Sequence, residues 1–110
     1  MIRWYRDLYM DAEVEKNPEK CKKRVMRRRP WKRNYYALML AQNSQDLFEI
    51  VGTREFFFRR FGYLDLYIVG LASDYDGAVK MLCQILSQFY AEPEKSAQSP
   101  RDIFDKDDFE

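Results

Sequence analysis

The sequence predicts an α+β domain: a small, mostly antiparallel sheet of about four strands with helices packed on one face. Three observations carry that prediction. The run from Leu64 to Leu71 has the length and content of a buried strand, and Ala72-Ser73-Asp74 leads from it into an amphipathic helix. Tyr35 to Gln42 and Leu47 to Val51 are two further apolar segments of strand length, separated by the turn chemistry of Asn43-Ser44-Gln45-Asp46. A basic helix precedes them, so the chain reads strand, helix, strand, strand, aromatic cover, strand, helix.

Residues 2–10 alternate in part, with Ile2, Trp4, Leu8 and Met10 on one face and Arg6 interrupting. Their aromatic and β-favouring content predicts a strand at a sheet edge. Asp11 to Lys16 reads as a charged connection. Asn17-Pro18-Glu19 then supplies an N-cap residue, a proline at the first helical position and an acid in the first turn. The helix that follows ends before Pro30, because the residue preceding a proline is pushed out of helical angles. Its apolar stripe is thin, Cys21 and Val25 with Met26 at the margin, and basic side chains cover the rest. The like-charge pairs Lys20/Arg24, Lys23/Arg27 and Arg24/Arg28 each cost a few tenths of a kcal/mol in an isolated helix.

Tyr35 to Gln42 is a continuous apolar run, read as a central strand, and Leu47 to Val51 pairs with it as a hairpin that Gly52-Thr53 terminates. Arg54 to Gly62 holds Phe56, Phe57, Phe58 and Phe61 around Arg59 and Arg60, and reads as a short helix or irregular cover. In the last helix, Ala78, Val79, Leu82, Cys83, Ile85, Leu86, Phe89 and Tyr90 fall with Tyr75 within an arc of about 160°. Ser73 reads as its N-cap, Asp74 and Asp76 put negative charge in the first turn, and Pro93 lies just past its end.

At 110 residues the chain is one domain, able to bury roughly 65% of its unfolded surface. Residues 1–91 form it; 92–110, rich in acids with Pro93 and Pro100, read as a largely disordered tail in which Ile103-Phe104 docks. The longest apolar runs, Tyr35 to Ala41 and Leu66 to Ala72, have seven residues each, too short for a membrane helix. There is no signal-peptide core at the first residues, and two cysteines 62 positions apart do not make a disulfide framework. These features predict a cytoplasmic protein that does not enter membranes. The formal net charge of +1 conceals a segregation: Lys16 to Arg33 carries ten bases against one acid, and Glu92 to Glu110 seven acids against three bases.

The chain has no histidine, which removes Ser-His-Asp and Cys-His catalysis and the commonest zinc ligand. No catalytic, cofactor-binding or metal-ligating set is expected, and no cofactor. Cys83 reads as ordinary core. Cys21, among Lys20, Lys22, Lys23 and Arg24, reads as filling of its helix's apolar stripe; a thiol activated by those cations is the alternative. Asp74-Tyr75-Asp76-Gly77 opens like a calcium loop but lacks the third acidic ligand position before the glycine and the later bidentate Glu, so helix capping accounts for it. Gly70 reads as a point of close helix-on-strand packing.

The strand Tyr67-Ile68-Val69-Gly70-Leu71-Ala72, with Tyr75 and Ala78 after it, resembles a stretch of short uncharacterised bacterial proteins. In those, a Leu-Glu-Ile-like strand also precedes the closing strand-helix unit, as Leu47-Phe48-Glu49-Ile50 does here. The resemblance spans roughly Tyr36 to Tyr90 and implies the strand-hairpin-helix order and a bacterial cytoplasmic origin. It carries over no catalytic or binding residue.

Two surfaces stand out. Lys20, Lys23, Arg24, Arg27, Arg28, Arg29, Lys32 and Arg33, with Trp31 able to stack on a base, form a candidate contact for an anion or nucleic acid. Phe56, Phe57, Arg59 and Arg60 form a candidate interface for a protein partner or a second copy. The expected function is a small non-enzymatic interaction or accessory protein acting through the basic helix and aromatic surface. The alternative is nucleic-acid binding through Lys20 to Arg33.

Overall fold

The computed structural model describes residues 2–26, 34–41, 48–57, 65–91 and 106–110. Strand β1 (Ile2–Met10) is followed by helices α1 (Ala12–Lys16) and α2 (Pro18–Met26). The hairpin strands β2 (Tyr36–Leu40) and β3 (Phe48–Gly52) come next, then a 3-10 turn (Thr53–Phe57), strand β4 (Leu66–Ala72) and helix α3 (Tyr75–Ala91). The strands form one sheet in the order β1-β4-β2-β3. The β2–β3 and β2–β4 pairs are antiparallel and β1–β4 is parallel, so the expected α+β, mostly antiparallel four-stranded sheet is what forms. β1 takes the predicted edge position and β2 a predicted central one.

The helices do not share one face, as the sequence reading had them. Ile2, Trp4, Leu8, Ala37, Met39, Leu66, Ile68 and Leu71 project to one side, where Val14 of α1 and Cys21 and Val25 of α2 cover them. Leu38, Leu40, Val69 and Ala72 project to the other, beneath Ala78, Met81 and Ile85 of α3. The physical reason lies in the two inner strands. Every residue of β4 except Tyr67, and every residue of β2 except Tyr36, is buried. Successive side chains of a strand point to opposite faces, so an unbroken apolar run needs cover on both.

β4 is irregular at its middle. Leu38 pairs with Gly70 and Met39 with Ile68, so Val69 is the extra residue of a bulge, and β1 shifts register at the same level between Trp4 and Tyr9. Gly70 therefore faces α3, where a Cβ would run into Met81 Sδ and stand 3.2 Å from both Cβ and the carbonyl oxygen of Tyr9. The expected close approach of helix to strand is thus real, with β1 as a third party.

Asp11 joins the two layers. Its Oδ1 accepts from the Val14 N–H at 2.9 Å, which caps and creates α1 where the sequence suggested only a charged connection. Its Oδ2 accepts from the Ser73 N–H at 2.8 Å and the Ser73 hydroxyl at 2.7 Å, at the turn between β4 and α3. Ser73 is therefore not the cap of α3. Asp74 is: its Oδ1 accepts from the Gly77 N–H at 2.7 Å and its carbonyl from the Ala78 N–H at 3.2 Å. A carboxylate caps at least as well as a hydroxyl and adds favourable charge at the helix N-terminus, which leaves Ser73 free to serve Asp11.

Of the predicted tail, residues 106–110 belong to the fold. Lys106–Asp108 make a 3-10 turn, and Phe109 is buried against the α3-side core, bridged in antiparallel fashion to Tyr5. Ile103-Phe104, the expected docking point, lies outside the described residues.

Replacing Gly70 with Ala overpacks this junction. The expected loss is about 1–3 kcal/mol of unfolding free energy, read from the denaturant midpoint at unchanged m-value. Asp11→Ala removes a charged acceptor from three donors, with an expected loss of about 2 kcal/mol. In a double-mutant cycle with Ser73→Ala, measured by urea unfolding, the two losses should be less than additive, since both delete the bond from the Ser73 hydroxyl to Asp11.

Candidate functional site

α2 is built to be held on one side and displayed on the other. Asn17 Oδ1 accepts from the Lys20 N–H at 3.2 Å, so the predicted N-cap forms, with Pro18 and Glu19 in the first turn. Cys21 and Val25, one turn apart, are buried against the sheet. Burying Val25 alone contributes about 1.5 kcal/mol, more than the few tenths lost to each like-charge pair, so packing holds a helix that its charges would loosen. The placement of Cys21 agrees with its reading as stripe filler. Cys83, read as core, is instead exposed. α3 buries only Ala78, Met81 and Ile85 of its described residues; Val79, Leu82 and Leu86 are half-buried, and Cys83 lies beyond that second row.

Two basic residues act as anchors. Lys22 sets its Nζ 5.6 Å from the centre of the Trp4 ring and 3.9 Å from Glu19 Oε1. Arg24 donates from Nη1 to the Tyr35 hydroxyl at 3.0 Å. Tyr35 is itself clamped: its N–H donates to Thr53 Oγ1 at 3.0 Å, and its carbonyl accepts from the Thr53 N–H at 2.8 Å. Burial first, then a hydrogen bond with Cys21, push the Tyr35 hydroxyl above its ordinary value of 10.0, against the opposing pull of Arg24. The same bond to Tyr35 tightens the hold of Arg24 on its proton. Arg24 thus enters α2's surface as a cation fixed in place by a neutral phenol.

Lys20 and Lys23 are exposed, and neither they nor Arg24 has a carboxylate within 4.0 Å among the described residues. Of the predicted anion contact, the structure brings these three together on one helix. Arg27, Arg28, Arg29, Trp31, Lys32 and Arg33 lie outside the described residues. Of the predicted partner interface, Phe56 and Phe57 fall in the 3-10 turn after β3 with side chains outside the described part, and Arg59 and Arg60 lie outside it altogether.

Tyr35, Trp4 and Phe109 were not singled out as site-forming residues from sequence. Trp4 and Tyr35 read only as strand residues, since nothing in a sequence tells which basic residue reaches across to an aromatic. Phe109 did carry a signal, as one of three large apolar residues in an acidic stretch.

Among the described residues no group of three or more His, Cys, Asp or Glu is placed to hold a metal ion, and no helix is long and apolar enough to cross a membrane. Asp74-Tyr75-Asp76-Gly77 opens α3, as its capping role required. No protein-family model, no curated protein and no solved structure matches this chain.

The raised Tyr35 value fixes a pH response. The folded protein holds this proton more tightly than the unfolded chain, so the associated stability is complete below about pH 10 and is lost as pH rises through the folded value. The thermal midpoint should fall on alkalinisation past that point, and Tyr35→Phe should show a shallower fall. Calorimetry across the alkaline range checks both.

Proposed function

We propose that the protein is a small non-enzymatic interaction protein whose helix α2 docks on an acidic surface of a protein partner, in a cytoplasmic setting. The observation that carries this reading is the exposed Lys20 and Lys23 beside the anchored Arg24, cations without acidic partners among the described residues. Holding α2 by Cys21, Val25 and the Lys22–Trp4 contact lowers the ordering cost of presenting those cations. Two free thiols, one buried and one exposed, fit a reducing compartment.

Nucleic-acid binding through Lys20 to Arg33 is the second reading, favoured by the run of bases around Trp31. The first is favoured by the mildly acidic remainder of the domain, six acids against four bases over Asn34 to Ala91, because a long nucleic-acid groove needs basic lining.

Fluorescence titration of the full chain with an oligoglutamate peptide and with a single-stranded oligonucleotide, each at two salt concentrations, separates the readings. A protein-directed helix gives saturable oligoglutamate binding that Lys20→Glu with Lys23→Glu weakens at least fivefold. Tight oligonucleotide binding that drops roughly tenfold or more between 50 and 200 mM salt supports the second reading. Binding of neither probe removes α2 as the contact.

A further inference from the structure

Residues 106–110 touch the fold as a bound peptide would. Trp4 and Glu110 exchange two backbone hydrogen bonds: the Glu110 N–H donates to the Trp4 carbonyl at 2.8 Å, and the Trp4 N–H to the Glu110 carbonyl at 3.3 Å. Beside them, Phe109 inserts between Tyr5 and Tyr67, its ring centroid 5.4 Å from the first and 5.2 Å, edge-on, from the second. Tyr9, stacked on Tyr5 at 6.4 Å, extends the wall of this slot. Arg6 reaches over the segment, donating to the Asp107 carbonyl at 3.3 Å and lying 3.8 Å from Glu110 Oε1.

These are the three parts of peptide recognition by strand addition: main-chain pairing at a sheet edge, a pocket for one side chain, and a charge that selects its neighbour. Pairing along the outer edge of β1 is confined, among the described residues, to Trp4 and Tyr5, although β1 is nine residues long.

We infer that the outer edge of β1, with the Tyr5–Tyr67 slot and Arg6, is a binding site for an extended partner peptide in which an aromatic residue is flanked by carboxylates, and that residues 106–110 occupy it as an internal competitor. The site is separate from α2. The competitor belongs to the same chain, which gives it a high effective concentration. A partner must outbid that concentration, by engaging α2 at the same time. The resident segment thereby sets the threshold for binding. It also touches the electrostatics of the slot: burial first, then Tyr9, Asp7 and Asp108, raise the Tyr5 hydroxyl above its ordinary value.

The probe is a fluorescein-labelled peptide of sequence Lys-Asp-Asp-Phe-Glu, titrated by anisotropy into the full chain. Phe109→Ala in the full chain releases the internal competitor and should bind the probe at least tenfold more tightly than the wild type. A probe with Ala for Phe should not bind, and adding Arg6→Glu should weaken binding about fivefold. Absence of saturable binding to a folded Phe109→Ala chain overturns the inference. Should that variant not fold, millimolar unlabelled peptide added to the wild type must shift the Trp4 and Tyr5 amide resonances, and unmoved resonances overturn it. A wild-type dimer that grows with concentration and vanishes in Phe109→Ala would make a second copy the occupant, and would also overturn it.

Discussion

Strand β4 is enclosed on every side, and that enclosure governs the rest of the molecule. β1 and β2 hydrogen-bond its two edges, Val14, Cys21 and Val25 lie over one face, and α3 lies over the other. A strand so placed has no solvent-facing side to tolerate a register slip, because moving by one residue would exchange two differently shaped faces. The bulge at Val69 marks where the two faces make incompatible demands. Met81 and Tyr9 both need the space above Gly70, and the extra residue turns the one side chain-free position toward them. Asp11 then locks this arrangement from outside by holding the start of α1 and the exit of β4 with one carboxylate.

That rigid centre explains how a helix as basic as α2 can be part of the fold. Its charges work against it, and its contact area is small. It is retained because Cys21 and Val25 reach a sheet already fixed by other contacts, and because Trp4 and Tyr35, both rooted in that sheet layer, take up Lys22 and Arg24. The same scaffold carries a second surface on the far edge, where β1 meets Phe109 and Glu110. Both surfaces are built by β1 side chains and backbone: Trp4 offers its ring to Lys22 and its main chain to Glu110.

Elements whose signals are local were legible in the sequence. The strands, the hairpin, the Asn17-Pro18 helix start and the long last helix follow from hydrophobic period and capping residues, and each forms close to its expected bounds. α1 was missed because five residues with a single apolar side chain, Val14, have no period to read. The exchange of roles between Ser73 and Asp74 was missed because the deciding partner, Asp11, is 62 residues from Ser73. Cys83 misled because the buried row of α3 is rotated from the apolar arc: Met81, outside that arc, packs on the sheet, and Cys83, at its opposite margin, is exposed. Of the candidate contact surface, Lys20, Lys23 and Arg24 were legible as charge density, while the anchoring of Arg24 by Tyr35 was not.

By itself, the sequence determined the kinds of element, their order and the segregation of charge, because propensity, periodicity and composition act over a few residues at a time. It also held, unread, the reason for two helical layers: β2 and β4 are apolar at consecutive positions, and consecutive positions face opposite ways. Only the tertiary structure decided which helix covers which face, that β1 runs parallel to β4, and that residues 106–110 close on β1. Those outcomes depend on contacts between segments far apart in the chain, where shape and the pairing of buried polar groups select one arrangement among several that local preference allows.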